Sequence, residues 1–219
     1  MSFSAQPVEI TMADGVVLRG QRWGEGPDWV ILLHDAGEDR DLDDWRPLLP
    51  AIMTPERTLL TLDLPGHGAS DGDADVTRLE ADLDSVLEWA KEQGATWTAL
   101  SGAGSTATRI LKKAGARPID ALVLLTPEIT VEEAKVLRGR GEAKLFAVGS
   151  RDASATSAVR QARNASIGWA MLVSLPTGQQ RTDLLRGPYA GQLIEKIVAF
   201  LAEQCHISRT RNLRPSPQR

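Results

Sequence analysis

Six short apolar runs, with helical patterns between them, restrict what this chain can fold into more than any other feature. They are Trp29–Leu33, Leu59–Leu64, Trp97–Leu100, Ala121–Leu125, Lys144–Val148 and Trp169–Leu175. Runs this short and this continuously apolar suit strands buried on both faces, as in a parallel sheet covered by helices on either side. Two further β-rich runs, Val8–Met12 and Val16–Trp23, come first and are joined by the hairpin signal Ala13-Asp14-Gly15. The clearest helical spacing spans about residues 75–92, where Val76, Leu79, Leu83, Val86, Leu87 and Ala90 share a face and Thr77 and Glu80 suit a capping box. A last helix over about 188–204 carries Leu193, Ile194, Ile197, Val198 and Leu201 on one stripe. A leading hairpin followed by alternating strands and helices predicts an α/β fold. It would be a doubly wound, mostly parallel sheet of about eight strands with helices on both faces. Residues 1–205 read as one domain, and 206–219 as a basic, disordered tail.

The chain has 219 residues, 42% of them hydrophobic, enough for one well-buried domain. No apolar run approaches the ~20 residues of a membrane span, and Met1–Pro7 has no charged region followed by an apolar one, so no secretory signal is expected. The single cysteine, Cys205, forms no internal disulfide and reads as a small structural or surface residue; a cytoplasmic setting is the expectation. Arg209, Arg211, Arg214 and Arg219 make the tail basic, which leaves residues 1–205 at −8 within a net charge of −4. That balance argues against nucleic-acid binding by the folded part.

Residues 97–107 combine a strand, a glycine-bearing turn and a helix over Ser105–Gly115. Such an element pushes one side chain into the open at the carboxyl edge of a sheet. In Ser101-Gly102-Ala103-Gly104-Ser105 the residue at the apex is Ala103, a methyl group where a reactive oxygen is needed. Two other strands end in His34-Asp35-Ala36-Gly37 and in Asp63-Leu64-Pro65-Gly66-His67-Gly68-Ala69-Ser70. In this order and spacing the chain resembles the α/β-hydrolase superfamily, especially its small lysophospholipase-like and dienelactone-hydrolase-like members, over nearly all of residues 8–204.

The resemblance implies a single domain without a cap, an open site, and a triad of elbow nucleophile, acid and histidine. Asp152 matches the acid position. Gln180 stands where the histidine belongs, and an amide is no general base. Arg181 stands where a small glycine is usual. Asp35 replaces the glycine that follows His34, so an oxyanion corner of Asp35, Ala36 and Gly104 carries a carboxylate beside its N–H donors. Asp152 is then a relic or a hydrogen-bond partner of Gln180 or Arg151, with a working acid as the alternative.

Other assignments compete with these. A frame with Ser105 as nucleophile has small residues at the right offsets but turns Lys112 towards the sheet. Ser101 reads as a hydrogen-bonding turn residue. Of His34, His67 and His206, only His67 lies near the site in this frame. Two acidic runs remain, Glu38–Asp44 and Asp71–Asp75; the second alternates carboxylates like a calcium loop but lacks its sixth-place Gly and has Asp82 at the twelfth place instead of Glu, so no metal is expected and Asp73 or Asp75 reads as a helix cap. Gly102-Ala103-Gly104 lacks the third glycine of a dinucleotide fingerprint, so no cofactor is expected. Trp45, Trp97 and Trp169 read as core or rim packing. The resulting expectation is a catalytically silent protein that binds a small acyl-like ligand or a protein partner. One alternative is an active serine hydrolase or esterase of a small ester, using Ser105 or a non-standard site; another is a structural subunit of an active paralogue.

Overall fold

The computed structural model describes residues 4–114, 119–130, 133–134 and 141–212. Every strand expected from the sequence is present: β1 (Gln6–Thr11), β2 (Val17–Trp23), β3 (Asp28–Leu33), β4 (Arg57–Leu62), β5 (Trp97–Ala103), β6 (Ala121–Leu125), β7 (Ala143–Gly149) and β8 (Ala170–Leu175). They form one sheet in the order β1-β2-β4-β3-β5-β6-β7-β8. The β1–β2 and β2–β4 pairings are antiparallel and all others parallel. The β1–β2 hairpin closes with Met12 N–H on Val16 O at 2.7 Å, and Gly15 supplies the left-handed turn residue at φ +89°.

Period-2 alternation sends the side chains of β3, β4 and β5 into two separate cores. Ile31, Leu33, Leu60, Leu62 and Leu100 pack under α2 (Leu79–Glu92), α3 (Gly104–Lys113) and α4 (Ala153–Ala165). Val30, Leu32, Leu59, Trp97 and Ala99 pack under Trp45, the short α1 (Leu49–Ile52) and α5 (Ala190–Asn212). Burial on both faces explains why the central strands are continuously apolar. Trp45 and Trp97 are core residues, whereas Trp169 lies at the rim, stacked on Phe200 with ring centroids 5.4 Å apart.

Two local expectations need correction. The start of the helical segment expected over about 75–92 is not a capping box: a 3₁₀ turn over Val76–Arg78 precedes α2, and Asp75 caps it by accepting from Thr77 N–H (2.8 Å) and Thr77 Oγ1–H (2.6 Å). Glu80 instead pairs with Arg109 at 3.1 Å. The chain does not end its order at residue 205, because α5 runs on to Asn212. Buried Cys205, Ser208 Oγ on Asp120 (3.2 Å) and Arg209 on Asp28 (2.6 Å) fasten this basic stretch to the amino edge of the sheet. Cationic residues near a helix carboxyl end are also favoured by its dipole. Residues 213–219, with Arg214 and Arg219, lie outside the described residues. Cys205 itself donates to Asp28 (3.1 Å), and burial pushes its thiol up to about 11, which makes it a structural residue.

The Asp63–Ser70 loop is built around one carboxylate. Asp63 Oδ1 accepts from Leu42 N–H and Oδ2 from Ala69 N–H, both at 2.9 Å, and Gly68 at φ +50° lets the backbone curl against it. Ser70 Oγ donates to Asp63 O (2.7 Å) and accepts from Arg19 N–H (2.8 Å), fixing the loop to β2. Asp63→Ala leaves two part-buried N–H groups, those of Leu42 and Ala69, without an acceptor. Urea unfolding should show a loss of about 3 kcal/mol.

Candidate functional site

The elbow is set by how far β5 extends. The strand continues through Ala103, which pairs with Leu125 of β6, so the alternation of faces also continues. Gly102 faces α3, where a Cβ would strike Ile110 and crowd Ala107. Ala103 faces the opposite core, fully buried in ordinary extended backbone (φ −127°, ψ 149°). The left-handed residue at the apex is Gly104, with φ +54°. Ala103 is therefore not the exposed apex residue: the strand runs three residues beyond Trp97–Leu100, and the apex moves one position on. Ser101 is also no turn residue. It lies within β5, 1% exposed, with an Oγ that has no hydrogen-bond partner among the described residues.

Asp35 occupies the space above that apex. His34 is fully buried, and its Nε2 accepts from Leu64 N–H (2.9 Å), which leaves Nδ1–H to donate to Asp35 O (2.7 Å). Burial lowers the His34 pKa from its ordinary 6.5 and keeps the ring neutral. The Asp35 carboxylate is thereby held over the amino end of α3, where Oδ1 accepts from both Ser105 N–H (3.0 Å) and Ser105 Oγ–H (3.1 Å). A Cβ placed on Gly104 would overlap this carboxylate. The side chain of Asp35 thus fills the position of an elbow side chain and also takes the N–H of the residue that follows the apex.

Arg181 clamps the other carboxylate oxygen. Its guanidinium lies 3.2 Å from Asp35 Oδ2 and 2.5 Å from Glu128 Oε1. Its backbone, at φ +57°, adopts the left-handed conformation expected of the glycine it replaces, and its N–H donates to Thr126 Oγ1 (3.0 Å). Thr126 Oγ1–H in turn donates to Gln180 Oε1 (2.9 Å). Gln180 spends both ends of its amide on Gly149: Oε1 accepts from Gly149 N–H (3.1 Å) and Nε2 donates to Gly149 O (2.9 Å). Asp152 N–H reaches that same carbonyl at 3.3 Å, so the two loops adjoin. The Asp152 side chain, however, is exposed and caps α4 through Ala155 N–H (2.9 Å).

The structure therefore brings Asp35, Gly104, Ser105, Gln180 and Arg181 into one network at the carboxyl edge of the sheet and leaves the Asp152 carboxylate outside it. His67 is held on Pro65 O (2.9 Å), edge-on to His34, and His206 is exposed on α5. Half-buried Ala36 lines a neighbouring cavity of about 650 Å³ with His67, Glu38, Asp39 and Asp41. Sequence reasoning missed Glu128 and Thr126, and also Arg40. Arg40 turns inward from its acidic run to bridge Asp44 (3.2 Å) and Asp183 (3.1 Å), and Asp183 raises its pKa further. A lone cation amid five acids was the available signal. No group of three or more His, Cys, Asp or Glu among the described residues is arranged to hold a metal.

No family model matches the chain, and no curated protein matches its sequence. Solved structures do resemble it. An esterase of Pyrococcus furiosus superposes with a TM-score of 0.78 at 15% identity, covering 92% of this chain and 90% of that one. A dienelactone hydrolase from Anabaena variabilis gives 0.78 at 16%, covering 93% and 99%. Est1E from Butyrivibrio proteoclasticus, solved with ferulic acid, gives 0.72 at 16%, covering 91% and 100%. These likenesses establish the fold, that of the α/β hydrolases.

Gly104→Ala should lower the unfolding free energy by about 2 kcal/mol, from left-handed strain and overlap with Asp35. Adding Asp35→Gly should recover part of that loss in the same urea titration. Because His34 has a depressed pKa, the unfolded chain binds more protons near pH 6.5 and below. Stability is then full above about 6.5 and declines as the pH falls towards the folded value. His34→Gln should flatten this decline in denaturant titrations between pH 7 and 5.

Proposed function

We propose that this chain of α/β-hydrolase fold does not perform acyl transfer and serves as a binding protein for a small acyl-like ligand or a protein partner beside the vacated site. The carrying observation is the Asp35 carboxylate on Ser105 N–H, in the volume above Gly104. Acyl transfer by this fold needs a nucleophile at the apex, a base to deprotonate it and N–H donors free for a developing oxyanion. Gly104 supplies no nucleophile, and Gln180 is an amide committed to Gly149. The donor after the apex is taken by an internal anion, which opposes any further negative charge there.

The cavity beside Ala36 and His67 is the natural ligand site under this reading, within the size range of small-molecule pockets. Its exposed rim carboxylates Glu38, Asp39 and Asp41 favour a neutral acyl derivative over a free carboxylate. A cytoplasmic setting accords with the single, buried thiol of Cys205. The specific alternative is Ser105, whose Oγ–H donates to Asp35. That hydroxyl sits in the first turn of α3, beyond the apex, and no imidazole touches it among the described residues.

A fluorophosphonate probe should leave the protein unlabelled, and p-nitrophenyl acetate should hydrolyse no faster than in buffer. Labelling at Ser105 that disappears in Ser105→Ala would establish the hydrolase reading instead. Combining Asp35→Gly, Gly104→Ser and Gln180→His should admit probe labelling at residue 104. Phenylacetone, an uncleavable neutral acyl mimic, should raise the Tm, and Ala36→Trp should abolish that rise by filling the cavity mouth.

A further inference from the structure

The amino edge of the sheet, opposite the elbow, holds a second cavity that none of the residues discussed above explains. It measures about 150 Å³ and lies between the starts of β6, β7 and β8 and the last turns of α5. Its walls are Asp120, Ala143, Trp169, Gln204, Ile207 and Ser208, with Gly141 and Gly168 at the loops. A cavity of this size accommodates a benzene-sized molecule. Gln204 is 8% exposed, and its buried Nε2 has no hydrogen-bond partner among the described residues. An unmet amide donor in this position is costly unless something in the cavity accepts from it.

The remaining chemistry narrows the occupant. Asp120 Oδ2 accepts from Thr98 N–H (2.9 Å) and Oδ1 from Ser208 Oγ–H (3.2 Å), and each oxygen keeps a lone pair. Burial raises the Asp120 pKa. An anionic occupant would face this carboxyl. A cation, which only donates, would leave the Gln204 amide N–H without an acceptor. The Trp169 indole, Ile207 and Ala143 give apolar walls. The backbone leaves this space open. Gly168, at φ +90°, packs so closely on Gly141 O that no side chain fits, while a Cβ on Gly141 meets nothing.

We infer that this cavity is a binding site for a small, flat, uncharged cyclic amide, its carbonyl accepting from Gln204 Nε2 and its N–H donating to Asp120. A carbonyl answers the unmet Gln204 donor and an N–H the Asp120 acceptor, and Trp169, Ile207 and Ala143 leave part of the wall to the ring. The site is independent of the elbow.

Saturation-transfer NMR on the full chain tests this with 2-pyridone, and with benzene as the probe lacking the polar edge. 2-Pyridone should bind, and benzene, which forgoes both hydrogen bonds, should bind at least about a hundredfold more weakly, about tenfold for each bond. Gln204→Leu, which removes one of the two, should weaken 2-pyridone about tenfold. Gly141→Leu, which plugs the space without touching the core, should abolish binding while leaving the Tm near that of the parent. Asp35→Asn should leave binding unchanged. No transfer to 2-pyridone, equal binding of the two probes, or full binding retained in folded Gln204→Leu or Gly141→Leu would each overturn the assignment and leave solvent as the occupant.

Discussion

A carboxylate seated on the amino end of a helix is a stable arrangement in itself, because free N–H groups and the helix dipole both favour negative charge there. In this fold the amino end of α3 is where an oxyanion would form during acyl transfer. Asp35 turns the transient requirement into a permanent structural contact with Ser105. The surrounding structure is arranged around that choice. His34 fixes the backbone of Asp35 from below, Arg181 neutralises its outer oxygen, and Gly104 leaves the room that the carboxylate fills. These contacts stabilise the same group from three directions, so the site is specialised for holding an internal anion.

The same logic separates side chains that serve the scaffold from those that meet at the elbow. The Asp63–Ser70 segment looks like part of a catalytic signature, yet each polar group in it serves the loop: Asp63 gathers two N–H groups and Ser70 ties the loop to β2. His67 holds its own turn through Pro65. Asp152 caps α4. A capping carboxylate and a catalytic acid favour the same location, a loop after a strand and before a helix. Retention of an aspartate there is thus explained by helix stability alone.

The architecture was legible because the strands are buried on both faces and so announce themselves as apolar runs, and the helices carry one-sided stripes. The apex of the elbow was not legible. Ser101, Gly102, Ala103 and Gly104 are all small, and nothing in their composition says where β5 stops. Only the pairing of Ala103 with Leu125 decides which residue becomes left-handed. The reach of α5 was missed for a related reason. His206–Asn212 is polar and basic, and its anchors are the distant residues Asp28 and Asp120. Asp35, Gln180 and Arg181, by contrast, were found as departures from a pattern, and they do converge. Their partners Thr126 and Glu128 obeyed no pattern and became visible only in three dimensions.

Gln180 shows why a histidine does not fit this site by a single substitution. An imidazole and an amide both offer one donor and one acceptor, but their geometries differ. The Gln180 amide matches the N–H and C=O of Gly149 together, and also takes the Thr126 hydroxyl, thereby tying the ends of β6 and β7 to the loop after β8. A histidine in its place leaves some of these backbone groups without partners. It would still meet Arg181 where space for substrate is needed and Asp35 where the oxyanion belongs. Asp35, Gln180 and Arg181 each have a structural use, and those uses depend on one another. Placing a nucleophile, a base and free N–H donors here would therefore require the carboxylate, the apex and the amide to change together.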